Sequence, residues 1–331
     1  MSFREVVGHR RLVRLLADAI SRQSLTPSLI LSGPEGVGKR LIAVSIAQEL
    51  NCLKMDESGA CGECAACRRI ARGAHPDVMV IEPGESGSIK IEQVRAAIER
   101  SVYRPFEGRK RVTIIEQADA LVVAAENALL KTLEEPLPAS VFVLVTSRPD
   151  TLLPTVRSRC AHLRFGRLQV SEVATVLEQS QDYSHAEAMA AAAASDGSVR
   201  RALDLEADAF VEARSDAENL LQVAGRDPRT RLEHAKELLK GSGTAAFERE
   251  HLGARLMAMT SLIRDAGLIA SGADARLLAN LDRTPMVESL ARTLGGDRLD
   301  RMFSVVTQAE DALDRNVSPK VVADWLAINV H

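Results

Sequence analysis

A chain of 331 residues, 46% hydrophobic, 26% charged and only 3% aromatic, is long enough for two or three domains with aliphatic, largely helical cores. A net charge of −3 and a pI near 6.2 exclude a surface that is basic throughout, of the kind that wraps nucleic acid, and leave room only for a local basic face. The charged opening residues and the lack of an apolar run of bilayer length point to a cytoplasmic protein without a membrane segment. In that compartment the five cysteines are poor candidates for disulfides.

The first elements are short. Residues from about Phe3 to Gln23 read as a helix behind Val6-Val7-Gly8-His9, with Leu12, Leu15, Leu16, Ala19 and Ile20 at helical spacing. Pro27 ends that pattern and Leu29-Ile30-Leu31 begins a strand. The strand runs into Gly33-Pro34-Glu35-Gly36-Val37-Gly38-Lys39, a G-x-x-x-x-G-K phosphate loop followed by an amphipathic helix. Gly33, Gly36 and Gly38 let backbone N–H groups turn toward a phosphate, and Lys39 can reach its outer oxygens. The next residue should be Ser or Thr, whose hydroxyl holds Mg²⁺. Arg40 stands there instead and offers no oxygen.

Cys52, Cys61, Cys64 and Cys67 follow as C-x8-C-x2-C-x2-C. Four soft ligands at that spacing suit a closed, tetrahedral zinc site that folds a surface insertion at about 52–67. A redox dithiol or unrelated cysteines are the alternative.

Val78 to Ile81 reads as the second strand, Ile91 to Val102 as a helix and Val112 to Ile115 as the third strand. Arg104, Arg109, Lys110 and Arg111, between the last two, read as a solvated rim, with nucleic-acid contact as the alternative. The third strand ends in Glu116-Gln117, where P-loop ATPases carry an Asp for the metal's water shell and a Glu for the attacking water. Glu116 is one methylene too long and Gln117 is no base. Glu126 to Glu135 is a helix stopped by prolines, Val141 to Val145 the fourth strand and His162 to Phe165 the fifth. Strands alternating with helices give a parallel, three-layer α/β sandwich with its ligand at the carboxyl ends of the strands. After Gly166 only helical patterns remain, broken at 225–228, 241–243 and 295–296.

The phosphate loop, IIEQADAL, NALLKTLEEP, LLPTVRSRC, GSVRRAL and the four-cysteine insertion stand in the order found in bacterial clamp-loader subunits. Over its first 205 residues, and more weakly beyond, the chain resembles these AAA+ components of the DNA polymerase III complex. The resemblance implies an AAA+ domain over 1–166, a small helical lid over 167–207 and a helical C-terminal collar over 208–331. It implies that Arg159 of Ser158-Arg159-Cys160 is an arginine finger acting in trans, with Ser158 orienting its loop. An ordinary surface ion pair is the other reading of Arg159. Arg200 matches a sensor arginine of the lid or serves as a structural cap, and Thr146 and Ser147 occupy the first-sensor region. Arg40, Glu116 and Gln117 depart from the motor subunits. They imply a non-hydrolysing stator whose own ATP binding is in doubt, with motor subunits, a delta subunit, the sliding clamp and primed DNA as partners. A motor ATPase subunit and a zinc-dependent nucleic-acid-binding module are the rival readings.

Overall fold

The structure is a computed structural model that describes residues 2–330 apart from 57–58, 181–182, 205–206, 238, 240–244 and 275–277. The expected break at 241–243 lies outside the described residues. The chain divides into two compact units, 1–168 and 169–331.

The first unit is built on five parallel strands, β1 (Ser28–Ser32), β2 (Val78–Ile81), β3 (Arg111–Ile115), β4 (Ser140–Thr146) and β5 (Ala161–Arg164), in the order β2-β3-β4-β1-β5. Among the described residues α1 (Arg10–Ser21) precedes the sheet, and α2 (Lys39–Asn51), α3 (Ala65–Ala71), α4 (Ile91–Val102), α5 (Val123–Glu134) and α6 (Pro154–Arg157) connect its strands. Successive strand residues face opposite sides, and both sides are apolar. Leu29, Leu31, Ile114 and Val143 join Ile42 and Ile46 of α2 in one core. Ile30, Ile115, Phe142 and Leu144 join Val94 of α4 and Leu129 of α5 in the other. Two buried faces make the near-continuous apolar strands of a three-layer α/β sandwich. This is the parallel, three-layer α/β sandwich with a phosphate loop expected from the sequence.

Three local expectations change. The helix expected from Phe3 is a 3₁₀ turn at Phe3–Glu5 and a separate α1, because Gly8 and His9 take left-handed backbone angles (φ 80° and 48°) that a helix cannot continue through. The helix expected from Glu126 begins three residues earlier, at Val123. The basic rim is partly turned inward. Arg109 donates to the Cys52 carbonyl at 2.8 Å, and Arg111 reaches Asp77 at 3.0 Å and the carbonyls of Arg100 and Arg104. Asp77 also accepts the N–H groups of Phe106, Glu107 and Gly108, so these cations fix the loop between α4 and β3.

The second unit is helical among the described residues: α7 (Val170–Ser180), α8 (His185–Ala194), α9 (Val199–Leu203), α10 (Ala207–Gln222), α11 (Pro228–Glu237), α12 (Ala245–Ala270), α13 (Thr284–Leu294), α14 (Gly296–Asp314) and α15 (Pro319–Asn329). The long α12 is the central post, packed by α10, α13 and α14. Its Leu252, Leu256, Met259, Leu262 and Ile263 are buried. Arg255, 2% exposed, is neutralised by Asp216 at 2.7 Å. The alanine run of α8 is buried throughout, which lets neighbouring helices approach closely.

Candidate functional site

The phosphate loop leaves the carboxyl end of β1, where the Gly33 N–H donates to the Thr146 carbonyl at 3.3 Å. Gly33, Gly36 and Gly38 have φ of 145°, 75° and 94°. A Cβ on Gly33 would lie 2.2 Å from the Phe165 carbonyl oxygen, so the neighbouring strand alone requires glycine there. Gly38 caps α2 without a side-chain acceptor, which leaves the first-turn amides directed at an incoming anion. Lys39, only 7% exposed, donates to the carbonyls of Gly33 and Pro34 at 2.6 Å each. Burial lowers its pKa against the pull of Glu35, Asp119 and Glu116.

Arg40 pairs with Glu82, which follows β2, and its Nε lies 3.9 Å from Oε1 of Glu116, which follows β3. Glu116 is buried, and its carboxyl is pushed up by desolvation, pulled down by Arg40 and raised again by Glu82. Gln117 is exposed, in left-handed backbone. The N–H groups and Lys39 fit a nucleotide's phosphates. The cation position does not fit Mg²⁺, because a guanidinium stands between the two carboxylates that would face the metal's water shell.

Behind the loop, Thr146 donates to Asp119 at 2.7 Å, and Arg148 grips the other Asp119 oxygen at 2.9 and 3.1 Å. Burial would raise the Asp119 carboxyl, but these donors hold it below the usual carboxylate range. The Ser147 hydroxyl reaches Glu35 of the loop at 3.4 Å. Asp119, Arg148 and Glu82 were not visible as site residues in the sequence. The only available signal was their position just past strand ends.

Arg159 follows α6. Its guanidinium donates to the Thr155 carbonyl at 3.1 Å and meets Glu134, the last residue of α5, at 3.2 Å. Ser158 also donates to Thr155, at 3.1 Å. Cys160 packs against the core under this segment, where burial raises its thiol to about 12. The segment is fastened by Glu126 of α5, a buried carboxylate that accepts the Leu153 N–H at 2.7 Å. Leu29 of β1 stands opposite Ala161 of β5. Arg159 lies in the turn after α6, two residues before β5 begins, and so stands at the amino end of that strand, whereas the loop leaves the carboxyl end of β1. The structure therefore does not bring the loop and Arg159 together, and one chain cannot apply both to one phosphoryl group.

The four cysteines are brought together. Cys52 ends α2, Cys64 caps α3 and Cys67 lies within it. Their sulfurs all lie within 4.8 Å of one another, and Cys52 and Cys61 are 3.6 Å apart. A tetrahedron with zinc–sulfur arms of about 2.3 Å has edges of about 3.8 Å, so the cluster could hold a metal ion. It is the one such group among the described residues. None of the cysteines forms a disulfide. Amide N–H groups point at the sulfurs, from Lys54 and Cys61 to Cys52, from Cys64 to Cys61 and from Cys67 to Cys64, at 3.3–3.5 Å. Burial raises Cys52 and Cys67. Burial opposes but the amides of Cys67 and Leu53 and neighbouring thiols bring Cys64 down to about 6. Glu49 holds the Ala60 N–H and Gln48 the Cys67 carbonyl, tying the insertion to α2.

Arg200, on α9 in the second unit, is exposed and lies 3.9 Å from Asp204. No helix among the described residues is long and apolar enough to cross a membrane.

Residues 8–169 match the family described as "DNA polymerase III, delta subunit". Over 322 residues the chain is 29% identical to DNA polymerase III subunit delta' of Bacillus subtilis, covering 96% of this chain and 94% of that one. The chain is thus similar to DNA polymerase III delta' subunits, over nearly its whole length in the Bacillus subtilis case. The delta' subunit of Pseudomonas aeruginosa is 45% identical over 132 residues, 40% of each chain. The gamma/tau subunit of Mycobacterium bovis is 34% identical over 164 residues, 50% of this chain and 28% of that protein. The match thus spans less than half the length of these last two relatives. Among solved structures, a gamma subunit-related protein from Thermotoga maritima is 17% identical with a TM-score of 0.47, covering 96% of this chain and 97% of the other.

Proposed function

We propose that this chain is a non-hydrolysing subunit of a cytoplasmic clamp loader, a fixed wall of a ring of subunits that places a sliding clamp on primed DNA. In this reading 167–207 is a lid and 208–331 a collar that joins motor and delta subunits, and Arg159 acts on ATP held by the neighbouring motor subunit. The observation that carries the proposal is the separation within the first unit: Arg159 stands at the amino ends of the strands and the phosphate loop at the carboxyl ends. A guanidinium so placed has no phosphate of its own chain to neutralise, and its chemistry is useful only across an interface. A fixed guanidinium there offsets charge on the transferred phosphoryl group, a contribution worth about 10³–10⁵ in rate. To reach the phosphate Arg159 has to leave Glu134, whose own side chain is 58% exposed, and the Thr155 carbonyl.

The chain's own loop supports the same reading. Arg40 holds the metal position, Glu116 is paired to it, and Gln117 supplies no base. ATPase measurements on the isolated chain, and on motor subunits with and without it, test the proposal. No turnover alone and stimulated turnover in the complex are expected. Ordinary P-loop turnover by the isolated chain would favour the motor reading instead.

The cysteine cluster is assigned to a structural zinc that folds the insertion between α2 and β2. Elemental analysis should find about one zinc per chain. Metal-free protein with four reactive thiols would remove the assignment.

A further inference from the structure

The phosphate loop keeps every part that grips phosphate and has lost only the part that grips a metal. Its first-turn amides are uncapped, three glycines hold positive φ, and Lys39 is buried with its ammonium on loop carbonyls. Such a loop with nothing to bind would carry the cost of a buried ammonium and three left-handed residues without compensation. At the cation's place stands Arg40, on the first turn of α2, between Glu82 and Glu116. Glu116 is 9% exposed, and its Oε1 has no hydrogen-bond donor, only the Arg40 Nε at 3.9 Å. A buried carboxylate oxygen without a donor marks an incomplete arrangement. It is completed when the guanidinium swings off the exposed Glu82 and lies between Glu116 and an anion in the loop.

We infer that the loop is a nucleoside-polyphosphate site that works without a divalent cation, the Arg40 guanidinium taking the place of the metal between the phosphates and Glu116. Guanidinium is suited to that place. It carries a fixed charge and a planar fork of donors that can serve a phosphate oxygen and a carboxylate together. A divalent cation brought to the same spot would meet this like charge and find no hydroxyl ligand. Lys39, Arg40 and the loop amides offer cationic and N–H groups to a short phosphate chain, so ADP, the less charged of the common adenosine polyphosphates, is the natural probe. A nucleotide held this way would brace β1, α2 and the ends of β2 and β3 without being turned over. The inference concerns this chain's own loop and does not depend on the trans role of Arg159.

The test is calorimetric titration of the full-length protein with ADP, in EDTA and again in excess Mg²⁺. The inference predicts the same affinity in both. Arg40→Ala should weaken ADP binding by about tenfold or more in either buffer, the usual worth of a charged hydrogen bond. Arg40→Ser, which restores the hydroxyl, should bind weakly in EDTA and regain affinity when Mg²⁺ is added. The Arg40 side chain is 61% exposed, so both variants should keep the wild-type melting temperature. Wild-type binding that requires Mg²⁺, no ADP binding in either buffer, or an unchanged affinity in Arg40→Ala would each overturn the inference. Any of these results could occur with the ATPase stimulation by the complex intact, which separates this failure from failure of the proposed function.

Discussion

The two ends of the β1–β5 strand pair carry opposite kinds of arginine. At the carboxyl ends the exposed Arg40 is flanked by acids that follow two neighbouring strands, Glu82 and Glu116, beside a loop whose glycines, amides and lysine suit a phosphate. At the amino ends Arg159 has one exposed acid, Glu134, a hydrogen bond to the Thr155 carbonyl and a long contact to the Ser158 hydroxyl. The first is built into its own chain's site. The second pairs with one exposed acid and with groups of its own well-anchored segment, away from its chain's loop. In the proposed reading the same fold separates holding a nucleotide from acting on one.

That contrast can be broken from either side. The largest stability effect is expected for Glu126→Ala, which leaves the half-buried Leu153 N–H without its acceptor and loosens the segment that carries Arg159. A loss of about 2–3 kcal/mol in chemical denaturation is expected. Burial raises the Glu126 carboxyl, so Glu126→Gln, which keeps an acceptor and removes a buried charge, should restore most of it. Asp119→Asn comes next, at about 1–2 kcal/mol near neutral pH, since it weakens the hold on Thr146 and Arg148. Because the folded-state pKa of Asp119 is depressed, its contribution is present above the unfolded value of about 3.9 and fades as pH falls below it. The gap between wild type and Asp119→Asn should therefore close in denaturation series taken below about pH 4. The smallest effects belong to the two arginine pairs. Glu134→Ala should move stability by no more than about 0.5 kcal/mol while leaving stimulation of the neighbouring ATPase intact. A large loss of stimulation in Glu134→Ala would mean that the pair positions Arg159 and is not a resting contact.

Strands, loop and cysteines were legible in the sequence for local reasons. β1 to β5 are apolar runs between turn residues, the loop is a fixed spacing, and four thiols within 16 residues have few other uses. The helix starts were less so. Val122 caps α5 without a side-chain acceptor, and no sequence signal distinguishes that start from Glu126. What escaped reading altogether was pairing between distant segments. Glu82 meets Arg40 over 42 positions, Arg111 meets Asp77 over 34 and Leu153 meets Glu126 over 27. Arg109 and Arg111 look solvated in sequence because the carbonyls and the carboxylate they satisfy lie on other elements. The separation of Arg159 from the loop likewise emerges only from strand order, since β5 lies beside β1 and not beside β4, which precedes it in the chain.

One paired measurement bears most directly on the division of labour between the two ends. A complex of motor subunits would be assembled with wild-type, Lys39→Ala or Arg159→Ala versions of this chain, and single-turnover ATP hydrolysis followed at the motor site adjoining it. The account predicts an unchanged rate with Lys39→Ala, and with Arg159→Ala a fall of about 10³-fold or more at that site without loss of assembly. A fall with Lys39→Ala and none with Arg159→Ala would contradict it.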